Sequence, residues 1–266
     1  MNGQYETWRD SLPRTDCWTL KNNTCEPHFH SSIEVTYLLE GEITGRINGT
    51  PYPMQAGDVL VCPSYSIHQF SSNGDSTCVI MTAPLDFIPS VKKGLKSMGF
   101  AAIHASLPPD HPLKHTLMSL EAACMSRTAG DVTLKGYTYT VMGLLMDTLG
   151  MCPISQGGQT DFARNVLLFL DAHYSEQLEV DQVAAHFGYS RSHFMHLFSG
   201  CFGLGFWEYL NVLRCRNAAM VMVNENTPLA EAALRSGFNS LRSFYRNFKQ
   251  VFGVSPTGYL RNMRAR

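Results

Sequence analysis

The residues of this chain best placed to do chemistry together are three histidines and one glutamate: His28, His30, Glu34 and His68. His28 and His30 alternate, so in an extended strand their imidazoles point to one face, as two ligands of one ion would. Glu34 follows closely, and His68 comes later, behind Gly57 and Pro63. Three imidazoles and a carboxylate can hold Zn, Mn, Fe or Ni. The same groups can instead line a wet pocket and hydrogen-bond a polar effector, or simply pair with one another in a core. Tyr37 is grouped with the four as an effector-binding residue, and Tyr65, Phe70 and Trp18 are further candidates for the walls of such a pocket.

A second constellation lies at the other end, from Thr227 to Tyr259. Thr227 and Pro228 suit a helix start, and Gly237 suits the turn that ends a short helix. Ser240 then opens a second helix in which Phe244, Phe248, Val251 and Phe252 recur at the spacing of a buried face. Its other face carries Leu241, Arg242, Ser243, Arg246 and Lys249. This is a helix-turn-helix whose second helix is shaped for a DNA major groove. From Arg235 onward the chain has seven basic residues and no Asp or Glu. Such a stretch repels itself unless a polyanion sits nearby.

The elements that must hold these residues differ between the halves. From His28 to about Met81, short β-branched and aromatic runs (33–39, 43–47, 59–62, 78–81) are separated by turns at Gly41, Asn48-Gly49, Gly57-Asp58 and Asn73-Gly74. They predict a small β-barrel or sandwich behind a polar arm over 1–25. A loop-rich connector and two amphipathic helices follow, over 112–129 and from an Asp131 cap to about 149. Residues 151–160 have one proline, two glycines and no charge, and read as a linker.

A helix from Asp161 to about Tyr174 comes next, then a unit that repeats the terminal plan. Gly188 matches Gly237, Ser190 matches Ser240, and Phe194 and Phe198 match Phe244 and Phe248. Between the two units an amphipathic helix runs from Phe206 to Val223. At about 27 Å it is long enough to hold two recognition helices toward successive major-groove turns, which lie about 34 Å apart.

Residues 159–266 hold 11 Lys/Arg against 8 Asp/Glu, whereas the chain as a whole holds 21 against 22. A basic C-terminal half behind an acidic N-terminal half suggests a division of labour, with DNA on one side. No apolar run approaches membrane-spanning length, and the N-terminus lacks the apolar core of a signal peptide. The eight scattered cysteines read as reduced thiols of a cytoplasmic protein.

Two resemblances join these observations. The spacing His28-x-His30, Glu34, Gly41, then Gly57, Pro63 and His68 resembles the cupin family. All four positions that bind metal in cupin enzymes are filled by competent residues. The pattern departs at Tyr65 and Ser72, where cupins often have glycine and asparagine. Two helix-turn-helix units joined by one helix resemble the AraC/XylS family of bacterial transcription regulators. The closing residues carry that likeness: Gly237-Phe238, Ser240, Arg246, Phe248-Lys249, Phe252-Gly253, Ser255-Pro256 and Tyr259. By motif position the resemblance implies base-edge readers at Arg191, Ser192, Met195 and His196 in the first unit, and at Leu241, Arg242, Ser243 and Arg246 in the second. It also implies a structural ion pair for Arg214. His196 stands where arginine is frequent, and Ser199-Gly200-Cys201 replaces a basic pair, so the second unit is expected to carry most of the phosphate attraction.

The expected architecture is therefore two-domain. An all-β cupin-like barrel with its arm (1–85) precedes a connector and a helical pair that could dimerise (86–150). A linker (151–160) leads to an all-α DNA-binding domain with two helix-turn-helix units (161–266). The expected function is a transcription regulator, an activator by resemblance, that binds double-stranded DNA. A small effector, with a sugar as first guess, would bind the barrel, which could also hold a divalent metal. RNA polymerase and a second copy of the chain are the expected protein partners. The alternative is a metal-dependent cupin enzyme fused to a DNA-binding domain. Beyond the four ligand-type residues, no acid/base or substrate-orienting motif supports catalysis.

Overall fold

The computed structural model describes residues 4–6, 9, 14–72, 74–95, 97–126, 129–153, 162–202, 204–225 and 227–264. The chain forms two compact units, one of residues 14–157 and one of residues 158–266 together with 2–13. The short strand β1 (Gln4–Tyr5) lies in the latter N-terminal segment.

The first unit is built on two antiparallel sheets. One has β3 (Cys25–Phe29), β8 (His68–Ser72), β5 (Glu42–Ile47) and β6 (Thr50–Gln55), in that order. The other has β11 (His104–Ser106), β7 (Asp58–Cys62), β4 (Ile33–Glu40), β9 (Thr77–Ala83) and β2 (Asp16–Lys21). Asn48 and Gly49, both at positive φ, turn β5 into β6 with Ile47 opposite Thr50, the geometry of a tight hairpin. Leu38, Ile43, Ile47, Met54, Leu60, Phe70, Cys78 and Ile80 fill the space between the sheets.

Strand β4 organises this unit because both of its faces are buried. Ile33, Val35 and Tyr37 point one way, into a core shared with helices α2 (Pro112–Ser126) and α3 (Asp131–Leu149). Leu38 points the other way, between the sheets, and the two-residue period puts Glu34 and Thr36 on that side with it. Leu113, Leu117 and Leu120 of α2 and Leu134, Val141 and Leu145 of α3 complete the outer core. The helical pair thus packs on the back of the β4 sheet.

The structure corrects several expected boundaries. The polar arm over 1–25 contains β2, which pairs along its whole length with β9. The barrel does not stop at 85, because β11 pairs with β7. The connector also contains helix α1 (Pro89–Gly94) and strand β10 (Met98–Phe100). The start of the expected linker is strand β12 (Met151–Pro153), paired with β10; residues 154–160 lie outside the described residues. Gly130 caps α3, and Asp131 is its first helical residue. Asn73, expected in a turn, is also outside the described residues.

The second unit is helical: α4 (Phe162–His173), α5 (Val180–His186), α6 (Arg191–Phe202), α7 (Phe206–Asn224), α8 (Leu229–Arg235), α9 (Leu241–Phe252) and α10 (Pro256–Arg264). Asp161, the expected helix start, is outside the described residues. Helix α8 begins one residue later than expected, with Pro228 as its cap and no side-chain cap bond. Phe194, Phe198 and Phe202 of α6 are buried, and Phe198 lies in ring contact with Phe206 and Tyr209 of α7. Phe244 and Phe248 of α9 share a core with Cys215, Ala218 and Met222 of α7. No helix among the described residues is long and apolar enough to cross a membrane.

Candidate effector site and nucleic-acid interface

His28 is the last residue but one of β3, His30 lies in the connection to β4, Glu34 is the second residue of β4, and His68 opens β8. His28 and His68 sit directly opposite each other in the β3–β8 ladder. The cluster therefore draws on both sheets. All four side chains are buried, with relative exposures of 5%, 1%, 2% and 1% in chain order. Their donor atoms lie within 4.8 Å of one another.

The three imidazoles are held alike. His28 Nδ1 faces Glu26 O at 2.9 Å, His30 Nδ1 faces Ser32 O at 3.0 Å, and His68 Nδ1 faces Ser66 O at 2.9 Å. A carbonyl oxygen only accepts, so each Nδ1 is the protonated nitrogen that donates, and in the neutral ring Nε2 presents a lone pair. His30 Nε2 stands 3.4 Å from Glu34 Oε2, and His68 Nε2 stands 3.8 Å from Glu34 Oε1. Among the described residues, neither of these two Nε2 atoms has a hydrogen-bond partner. Burial pushes His68 down to about 3, against the opposing attraction of Glu34 and with a further lowering by the other two histidines.

Lone pairs aimed at a carboxylate repel it unless a positive charge lies between them. A backbone carbonyl that holds the far nitrogen of each ring is also the arrangement that orients histidine ligands around a metal. His28, His30, Glu34 and His68 therefore fit a divalent cation.

Tyr37 does not join them. It is three residues from Glu34 on one strand, so the two side chains leave opposite faces. Its phenol lies in the core beneath the helices, where burial and then the charge of Asp58 raise its pKa. Tyr65 is buried and sits at φ 63°, with its N–H donating to His30 O at 2.8 Å. Phe70 belongs to the core between the sheets, with Trp18 packed against it. Thr36 is buried on the same side of β4 as Glu34 and was passed over in the sequence. The strand period counted from Glu34 points to Thr36 and excludes Tyr37.

The DNA-facing candidates are mostly where motif position puts them. Leu241, Arg242, Arg246 and Lys249 are exposed on α9, and Arg191, Ser192 and His196 on α6, with Met195 half-buried. Ser240 caps α9 by accepting from Ser243 N at 3.2 Å. Two of the candidates have partners within the unit. The Ser243 hydroxyl accepts from Asn247 Nδ2 at 3.2 Å and is engaged within its own helix. Arg191 is in an ion pair with Asp181 at 2.7 Å. Tyr245, exposed at the position equivalent to Met195, was overlooked, although aligning the two units would have found it.

The frame that holds both units is polar. Arg214 makes no ion pair among the described residues: its Nε donates to Tyr174 O at 2.7 Å and its Nη2 to Glu176 O at 2.8 Å, beyond the end of α4. Arg216 pairs with Asp171 at 2.8 Å. Gln177 and Asn239 exchange two amide bonds, of 2.7 and 2.8 Å, which tie the second turn to the loop before α5.

This arrangement is that of a helix-turn-helix DNA-binding unit joined to a cupin-type barrel, and comparisons with known proteins agree. The model of a "Helix-turn-helix domain" family matches residues 183–262, and that of a "Cupin domain" family matches residues 19–84. An uncharacterised HTH-type transcriptional regulator of Staphylococcus aureus is 21% identical over 236 residues, which is 86% of this chain and 31% of that protein. The chain thus spans about a third of the length of the first curated relatives it matches. The Transposon Tn10 TetD protein of Escherichia coli is 33% identical over 103 residues, covering 39% of this chain and 75% of that one. Among solved structures, fatty acid-bound ToxT from Vibrio cholerae aligns over 92% of this chain and 94% of its own, at 14% identity and a TM-score of 0.43. The chain belongs to the AraC/XylS family of transcription regulators.

Proposed function

We propose that this protein is a sequence-specific regulator in which α6 and α9 read successive major grooves and the occupant of the His/Glu cluster controls that reading. The observation that carries the proposal is the pair of helix-turn-helix units built on one helix. Helix α7 has 19 residues, about 28 Å, and both recognition helices pack against it. Arginine at 242 and 246 suits guanine O6 and N7, Lys249 suits phosphate, and Leu241 and Met195 suit thymine methyl groups.

The helical pair is the proposed contact with a second copy. Exposed Met118, Met125 and Val132 on α2 and α3 support this. Resemblance supports activation, with RNA polymerase as partner and the bacterial cytoplasm as the place of action.

The test is a footprint of the purified protein on DNA upstream of its own and neighbouring genes, with competitor DNA at two salt concentrations. Two adjacent half-sites about one helical turn apart are expected. Salt-sensitive coverage with no preferred site, with or without added effectors, would refute sequence-specific regulation.

A further inference from the structure

We infer that Gln177 and Asn239 are positioning residues that lock the two helix-turn-helix units at one separation, and so make the protein selective for the spacing between its two half-sites. The inference rests on the proposed reading of successive major grooves by α6 and α9, and adds what fixes the distance between those helices.

Helix α7 supplies one connection. Phe198 of α6 packs on Phe206 and Tyr209 near its start, and Phe244 and Phe248 of α9 share a core with Cys215 and Met222 nearer its end. Two bodies seated at opposite ends of one rod can still tilt about it. A second connection closes the frame. The loop between α4 and α5, residues 174–179, receives two hydrogen bonds from Arg214 of α7, at Tyr174 O and Glu176 O. The second turn comes so close to this loop that a Cβ on Gly237 would stand 2.8 Å from the carbonyl oxygens of Tyr174 and Ser175. Beside that contact lies the amide pair. Gln177 Nε2 donates to Asn239 Oδ1 at 2.7 Å, and Asn239 Nδ2 donates to Gln177 Oε1 at 2.8 Å.

The pair ties together the points where two helices begin. Gln177 stands shortly before Val180, the first residue of α5, and Asn239 immediately precedes Ser240, the cap of α9. Bonds between these points set where α9 starts relative to the first unit. Both residues are exposed. Exposed neutral hydrogen bonds replace bonds to water at little net gain, so the pair adds little to folding. Two opposed, directional bonds in one ring nevertheless fix distance and orientation together.

DNA geometry turns that constraint into selectivity. One base pair added between half-sites moves one of them by about 3.4 Å and turns it by about 35°, since a helical turn holds about 10–10.5 base pairs. Joined sites bind more tightly than isolated ones only while the linkage lets both be engaged at once. A locked frame loses that gain at the wrong spacing, and a loosened frame keeps part of it.

The experiment measures the affinity of the full chain for each half-site alone and for joined sites at the native spacing, one base pair shorter and one longer. Gln177→Ala, Asn239→Ala and the double variant are compared with wild type, and urea unfolding verifies that each is folded. Wild-type protein should prefer the native spacing over either altered one by about ten-fold or more. Each variant should flatten that preference to about three-fold or less, with its affinity for isolated half-sites unchanged. The double variant should match the single ones, because either substitution already opens the ring. A spacing preference as steep in the variants as in wild type would overturn the positioning role. Weaker binding of the variants to an isolated half-site would also overturn it, by placing these amides on the DNA. Wild-type protein that gains nothing from joining the half-sites at any spacing would instead sink the two-groove reading itself.

Discussion

Aligned on their capping serines, Ser190 and Ser240, the two recognition helices carry the same core and different outer faces. Phe194, Phe198 and Phe202 of α6 correspond to Phe244, Phe248 and Phe252 of α9, and the first two of each set are fully buried. Outside, Ser192 stands for Arg242, His196 for Arg246 and Ser199 for Lys249, while Arg191 is paired with Asp181. The duplicated fold is kept by its phenylalanines, which leaves the outer positions free to differ. On the proposed function, attraction to phosphate is therefore expected mainly from α9. Helix α6 is left with hydrogen-bonding and apolar groups, which position weakly but can still discriminate bases.

The turns differ as well. Gly188 and Gly237 both take positive φ, 75° and 87°. A Cβ on Gly188 would meet open space, whereas one on Gly237 would stand 2.8 Å from the carbonyl oxygens of Tyr174 and Ser175 and 2.9 Å from Arg214 Nε. The second turn is one residue longer between its glycine and its serine, and the added length includes Asn239, the partner of Gln177. The first turn needs only a conformation. The second also needs contact with the end of α4.

That contrast gives the largest expected effect. Gly237→Ala should destabilise the chain by about 3 kcal/mol in urea unfolding, because strain and collision add. Gly188→Ala should cost only about 1–2 kcal/mol, the strain alone. Equal losses would remove the distinction between the turns. Next, Arg246→Ala should weaken DNA binding by about 1–3 kcal/mol and lower the salt slope by about 1, with specificity relaxed at one base position. His196→Ala should leave the slope unchanged, and His196→Arg should raise it by about 1; a slope that falls in His196→Ala would place charge on α6 after all. The smallest effect belongs to the caps. Ser240→Ala should cost about 1 kcal/mol of stability, and Ser190→Ala less, since its hydroxyl lies 3.4 Å from His193 N against 3.2 Å for the bond from Ser243 N to Ser240.

Much of this was legible in the sequence, for identifiable reasons. Phenylalanines at helical spacing behind a glycine turn declare a helix-turn-helix because burial and turn chemistry agree. The Asn48-Gly49 hairpin and the β-branched runs of β4, β7 and β9 were equally plain. Strand β6 was hidden by Pro51 and Pro53, which a strand tolerates at a sheet edge, where it lies. Strand β2 was hidden because it is mostly exposed or half-buried and reads as a polar arm. Helix α10 was missed behind Ser255-Pro256, although proline is a natural helix start. In the candidate site, residue types identified His28, His30, Glu34 and His68, and their spacing allowed a common face. The misplacement of Tyr37 came from choosing by aromatic character instead of by strand parity. That the rings are locked through Nδ1 depends on the carbonyls of Glu26, Ser32 and Ser66, which no side-chain pattern announces.

The most direct test of the account is the salt dependence of binding to the two half-sites, each offered on its own DNA fragment and then joined. Two-unit reading with charge concentrated on α9 predicts that one isolated half-site binds with a steep slope and is weakened by Arg246→Ala. The other should bind with a shallow slope and be insensitive to that change, and the joined site should bind far more tightly than either. Equal slopes at both halves, or no gain on joining them, would contradict it.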